Sequence, residues 1–129
     1  MYFVPIDPEE PLHKRIKHTR TTDFLWEIQA VDKDDNPFDF TGSIFTLEIK
    51  EYKDDATIQV TIPNSDFTLS ASTAGATAGV QDIVTIKHPP ADFSNLIAEP
   101  FEYYFDLQIE DAAGLVYVPI LGEFIIRAN

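Results

Sequence analysis

Phe101-Glu102-Tyr103-Tyr104-Phe105-Asp106-Leu107-Gln108-Ile109-Glu110 is the stretch whose reading decides the fold. Phe101, Tyr103, Phe105, Leu107 and Ile109 alternate with Glu102, Tyr104, Asp106, Gln108 and Glu110. A period of two places every second side chain on the same side, so this is a β-strand with one apolar face. Asp111-Ala112-Ala113-Gly114 follows as a hairpin turn, with Gly114 suited to a positive φ. The return strand, Leu115 to Arg127, carries Val116 and Val118, then Phe124 and Ile126. Pro119 and Gly122 interrupt it, which predicts a bulge or a change of sheet between them.

The same period recurs upstream. Phe24, Trp26, Ile28 and Ala30 alternate with Leu25, Glu27 and Gln29, and the cluster 32–37, DKDDNP, turns the chain. Phe45, Leu47 and Ile49 form a second apolar face, Ile58, Val60 and Ile62 a third, and Val84 and Ile86 a fourth. Lys53-Asp54-Asp55, Pro63-Asn64-Ser65 and Pro89-Pro90 separate them, with room for a short strand at 67–70. Residues 71–79 are all small and predict a mobile loop or long hairpin tip. Residues 91–97, with Asp92 or Ser94 as cap, hold the one helical hint. About seven short antiparallel strands with almost no helix predict an all-β, Ig-like β-sandwich over residues 19–129.

Residues 1–18 differ. Pro5, Pro8 and Pro11 fix φ and remove backbone donors, which predicts an extended Pro-rich N-terminal arm. The arm ends in the basic cluster His13, Lys14, Arg15, Lys17, His18 and Arg20. Tyr2, Phe3, Val4 and Ile6 are a costly set to leave in water, so the arm is expected to dock on a neighbouring subunit. Expected subunit contacts are therefore Tyr2, Phe3, Val4, Ile6, Lys14, Arg15, Lys17 and Arg20, with Tyr104 on the outer face of the late strand.

Composition bounds the function. The chain has 129 residues, a net charge of −13 and no cysteine, which excludes a disulfide scaffold, a thiolate metal site and a Cys nucleophile. An apolar fraction of 44%, with ten Phe among the aromatics, excludes a disordered acidic tail. Residues 31–129 alone carry a net −12, which argues against a binder of duplex nucleic acid, leaving only the basic end of the arm for such contacts. No apolar run approaches the ~20 residues of a membrane span, and the N-terminus lacks the pattern of a secretory signal.

Chemistry-bearing patterns are tested one by one. Asp32, Asp34 and Asn36 have the spacing of the first ligands of an EF-hand, but Pro37 stands where that loop needs Gly and Ser43 where it needs Glu. His13, His18 and His88 form no ligand motif, and neither a nucleophile elbow nor a phosphate-binding glycine loop occurs. The expectation is a protein that is not an enzyme, with no cofactor, no metal and no small-molecule ligand. A different class, a carbohydrate- or host-surface-binding module, would need Trp26, Tyr103 or Tyr104 as an exposed stacking platform. Trp26 lies in phase with Phe24 and Ile28, so it is expected on the apolar face.

Two blocks carry a family resemblance. In VDKDDNPFDFTGSIFTLEIK, residues 31–50, an acidic turn and Pro37 precede Asp39-Phe40-Thr41-Gly42 and a strand ending in Lys50. In FEYYFDLQIEDAAGLVYVPILGEFII, residues 101–126, an aromatic-rich strand is followed by an Asp-x-x-Gly hairpin and a closing strand with Leu-x-Gly-x-hydrophobic. The chain resembles small β-sandwich virion proteins of tailed bacteriophages and prophages, found in tail, neck and baseplate. Phe40 and Asn36 depart from the group's usual Leu and Gly, and the long small-residue loop and the Pro-rich arm lie outside its pattern. The resemblance implies a non-catalytic subunit of a symmetric oligomer, assembled in the host cytoplasm into the virion, whose partners are other copies of itself and other virion proteins.

Overall fold

The computed structural model describes residues 2–77 and 79–128, with the backbone alone for Tyr2, Phe3, Ala76 and Thr77. Among them run β1 (Tyr2–Pro5), β2 (Leu12–Thr19), β3 (Phe24–Val31), β4 (Ile44–Lys50), β5 (Val60–Ile62), β6 (Phe67–Ser70), α1 (Thr73–Thr77), β7 (Ile83–His88), β8 (Tyr103–Glu110) and β9 (Val116–Arg127). One sheet has the order β1-β3-β7-β6 and the other β2-β9-β8-β4-β5. The two pack into an all-β sandwich.

The alternation that defines β8 sets the centre. Phe105, Leu107 and Ile109 are buried, and β4 lies antiparallel beside them in the register Ile49↔Phe105, Leu47↔Leu107, Phe45↔Ile109. From the facing sheet come Phe24, Ile28, Val84 and Ile86, so both inner faces are apolar. Each such side chain contributes about 1.5–3 kcal/mol on leaving water, which makes this contact the main stabilising term. On the other flank of β8, the ladder to β9 slips between Leu107 and Ile109, whose partners are Ile120 and Tyr117. The bulge therefore lies on the N-terminal side of the expected place. Pro119 sits inside it, where its missing N–H breaks no ladder bond. Gly122 stays in register, opposite both Phe105 and Lys14.

The N-terminal segment departs most from expectation. The predicted arm over residues 1–18 is instead two edge strands, one in each sheet. β1 runs parallel to β3 from Tyr2↔Ile28 to Pro5↔Val31, and β2 runs parallel to β9 from Leu12↔Ile120 to Thr19↔Arg127. Between them the chain crosses from one sheet to the other through a turn in which Asp7 accepts from the N–H groups of Glu9 and Glu10. The sandwich is thus antiparallel at its centre and parallel at this flank. Val4 and Ile6 gain within their own domain the burial that the arm reading assigned to a neighbour.

The small-residue loop has an anchor of its own. Asp82 is fully buried, and its carboxylate accepts from the Ser72 N–H at 2.7 Å, the Ser72 hydroxyl at 2.5 Å and the Gln29 amide at 3.5 Å. Gly75 packs over it so closely that a Cβ there would stand 2.6 Å from Asp82 Oδ1. After β7, a single 3₁₀ turn covers Pro90–Phe93 and contributes the buried Phe93 to the core. Asp92 does not cap that turn; its carboxylate goes to His88.

Candidate functional site

Of the basic residues expected to seek a neighbour, Lys14, Arg15 and Lys17 lie on β2 and Arg20 just after it, and acidic side chains of the same chain meet much of this strand. In a strand, residues 13, 15 and 17 share one face, and here they point away from the core. His13 Nε2 meets Glu123 Oε2 at 2.6 Å, Arg15 Nη2 donates to Glu102 Oε2 at 2.9 Å, and Lys17 Nζ lies 3.8 Å from Glu99 Oε2. A basic strand is thus zipped onto an acidic strip of the same chain. The pairs are exposed, so each adds little by itself, but together they favour one register and one sheet edge for β2.

Of the expected subunit contacts, Val4 and Ile6 are buried in the core and are not available to a partner. Lys14 is half-buried opposite Gly122. Arg20 turns back on its own domain, its guanidinium donating to the Leu96 carbonyl at 2.8 Å and its N–H to the Arg127 carbonyl at 2.9 Å. The side chains of Tyr2 and Phe3 lie outside the described residues. Tyr104 sits on the outer face of the five-stranded sheet in the row Lys50–Tyr104–Glu123–Arg15, which crosses four strands. Partial burial raises its hydroxyl pKa, and the charges of Asp106, Asp54 and Glu123 push the same way.

At one end of that face, Ile44, Glu110 and Val116 form another row, with Leu115 beside it. Ile44, Leu115 and Val116 are each at least half exposed and form an apolar corner on the outer face that the sequence reading missed. Alternation from Phe45 predicts that Ile44 points outward, but Val116 shares the parity of Phe124 and Ile126 and is expected inward; the bulge reverses the phase, buries Tyr117 instead and brings Val116 beside Ile44.

Other candidates resolve into structural roles. The Asp32 carboxylate accepts from the N–H groups of Asp34 and Asn36, holding the turn that looked like calcium spacing. No cluster among the described residues could hold a metal ion. His88 is buried, with Nδ1 2.6 Å from Asp66 Oδ2 and Nε2 2.7 Å from Asp92 Oδ2, so it ties β7 to the 3₁₀ turns Asn64–Asp66 and Pro90–Phe93. His18 packs edge-on to Phe24 and Phe93, and burial lowers its pKa. Trp26 packs edge-on to Phe105, and Tyr103 is buried with its hydroxyl accepting from the Ile97 N–H at 2.7 Å. Neither ring is placed as a stacking platform. Among the described residues no helix is long and apolar enough to cross a membrane. No protein-family model and no curated protein matches this chain.

Proposed function

We propose that the chain is a non-catalytic structural subunit of a tailed-phage virion, packing in a symmetric oligomer within the tail, neck or baseplate. The observation that carries this reading is the meeting of the two sequence blocks that resemble virion sandwich proteins. Asp39 Oδ1 accepts from the Thr41 N–H, the Thr41 hydroxyl and the Gln81 N–H, which fixes the turn before β4. Gly42, at φ 79°, packs against Ala112 of the Asp-x-x-Gly hairpin, and β4 and β8 then run paired from Ile44↔Glu110 to Lys50↔Tyr104. The shared motifs thus do one job together: they build the β4–β8 pair and the hairpin beside it. That is the part a scaffold protein would keep.

The Ig-like form of the sandwich belongs to the same proposal. It is supported by the division of the N-terminal segment between two sheets and by the Tyr103 hydroxyl bonding to backbone upstream of β8, an arrangement resembling the tyrosine corner of that fold. The partners are other copies of the chain and other virion proteins, and the apolar corner of Ile44, Leu115 and Val116 is the surface offered to them. The test is mass spectrometry of particles produced with the chain's own gene neighbours. Recovery of the chain in purified particles at many copies each supports the proposal. Particles lacking it, with the protein left free in the lysate, overturn it.

A further inference from the structure

The N-terminal segment closes one flank of the sandwich, and its backbone pairing is confined to two edge ladders. β1 pairs with β3 alone and β2 with β9 alone, both in parallel, whereas every ladder among β3 to β9 is antiparallel. Withdrawing residues 2–19 breaks two ladders and leaves the others paired. We infer that this segment is exchangeable: the edges of β3 and β9 that hold it can take the same segment from a second copy of the chain, so that copies join by trading it.

The receptor side is built to accept this segment in one register. At Gly122 the backbone has φ 151°, and a Cβ would stand 1.8 Å from the Lys14 carbonyl oxygen, so β2 lies closer to β9 than any other residue would allow. Three residues along β2 meet carboxylates of Glu123, Glu102 and Glu99. Val4 and Ile6 fill the core, and His18 fits among Phe24, Phe93 and Phe124. A segment from another copy presents the same groups, so the bound form is identical whichever chain supplies it.

Two further observations favour a second copy as the source. The covalent connection between the segment and the rest runs through residues 20–23, where Thr21, Thr22 and Asp23 are exposed and the Thr22 N–H and hydroxyl donate to the Thr19 carbonyl across the turn, at 3.2 and 3.1 Å. Opening that turn is the main structural difference between closed and exchanged forms, which otherwise make the same ladders. Charge also selects the segment. Residues 31–129 carry a net −12 and repel another copy, whereas residues 1–30 carry a net −1, with Lys14, Arg15 and Lys17 on β2 and Arg20 just after it. The inference stands on this topology and does not depend on the virion reading.

The test uses the full chain and a fluorescent peptide of residues 2–20 as the stand-in for a second copy's segment. The two are mixed in denaturant near the unfolding midpoint, diluted to native conditions and read by native mass spectrometry. The peptide should be retained at up to one per chain, and a peptide carrying Val4→Asp and Ile6→Asp should be retained about tenfold less or lower, because it would bury charges. Heavy- and light-isotope full chains taken together through the same cycle at high concentration should yield mixed-mass oligomers that excess native peptide suppresses. Retention of neither peptide, equal retention of both, or strictly monomeric chains after the cycle would each overturn the inference.

Discussion

Gly122 shows how much of this fold rests on a single missing methyl group. The Lys14 carbonyl occupies the space a side chain would need, and φ of 151° adds strain for any L residue. Gly122→Ala should cost about 2–4 kcal/mol in urea denaturation. A loss under about 0.5 kcal/mol, the level of ordinary surface substitutions, would contradict the close approach of β2. In the sequence this glycine looks like an interruption of a strand, because the strand that requires it lies more than a hundred positions away.

His18 carries a pH prediction whose sign follows from burial. Desolvation among phenylalanines lowers its pKa from 6.5, so between that value and the folded one the unfolded chain binds the extra proton. Its contribution is complete above pH 6.5 and is lost as pH falls toward the folded pKa. His18→Leu should therefore lower stability less at pH 5 than at pH 7.5, read from denaturation at both values. An equal or larger loss at pH 5 would contradict a neutral buried imidazole.

Among the elements, β8 is legible because its inner positions are all apolar and its outer ones polar, Tyr104 apart. β4, β3 and β7 follow the same pattern apart from the outward Ile44 and Leu25 and the buried His88. β2 breaks it: its inner face reads Leu12, Lys14, Ile16 and His18, so charge hides the period, and a parallel partner leaves no hairpin turn to find. Of the prolines that suggest an arm, Pro5 ends β1, and Pro8 and Pro11 lie in the crossing between sheets. Two measurements test the docking of these strands. Ile6→Ala should cost about 2–4 kcal/mol, whereas Leu25→Ala, on the exposed face of β3, should stay within about 0.5 kcal/mol. Similar losses at both sites would contradict the burial of the N-terminal segment. A double-mutant cycle on Arg15 and Glu102 should give a coupling of about 0.2–1 kcal/mol that shrinks with added salt, and zero coupling at low salt would remove that pair from the seam.

At the scale of the whole molecule, the net charge of −13 and the means for an apolar core were legible in composition, and a sandwich was legible in the alternating strands. The corner of Ile44, Leu115 and Val116 was not, since it depends on a register that only the bulge sets. The pairing of the basic cluster with carboxylates of its own chain was not legible either. Charge segregation along the chain suggested attraction between molecules, and the structure satisfies the same attraction within one. The central claim is that residues 2–19 are built into both sheets rather than carried as a free arm. Hydrogen exchange on the full chain tests it most directly, since opening free energies are read strand by strand. Slow exchange at the amides of residues 12–19 that bond to β9, alongside β4 and β8, is the predicted result. Exchange of all of residues 12–19 at the rate of an unstructured peptide, while β4 and β8 stay protected, would contradict it.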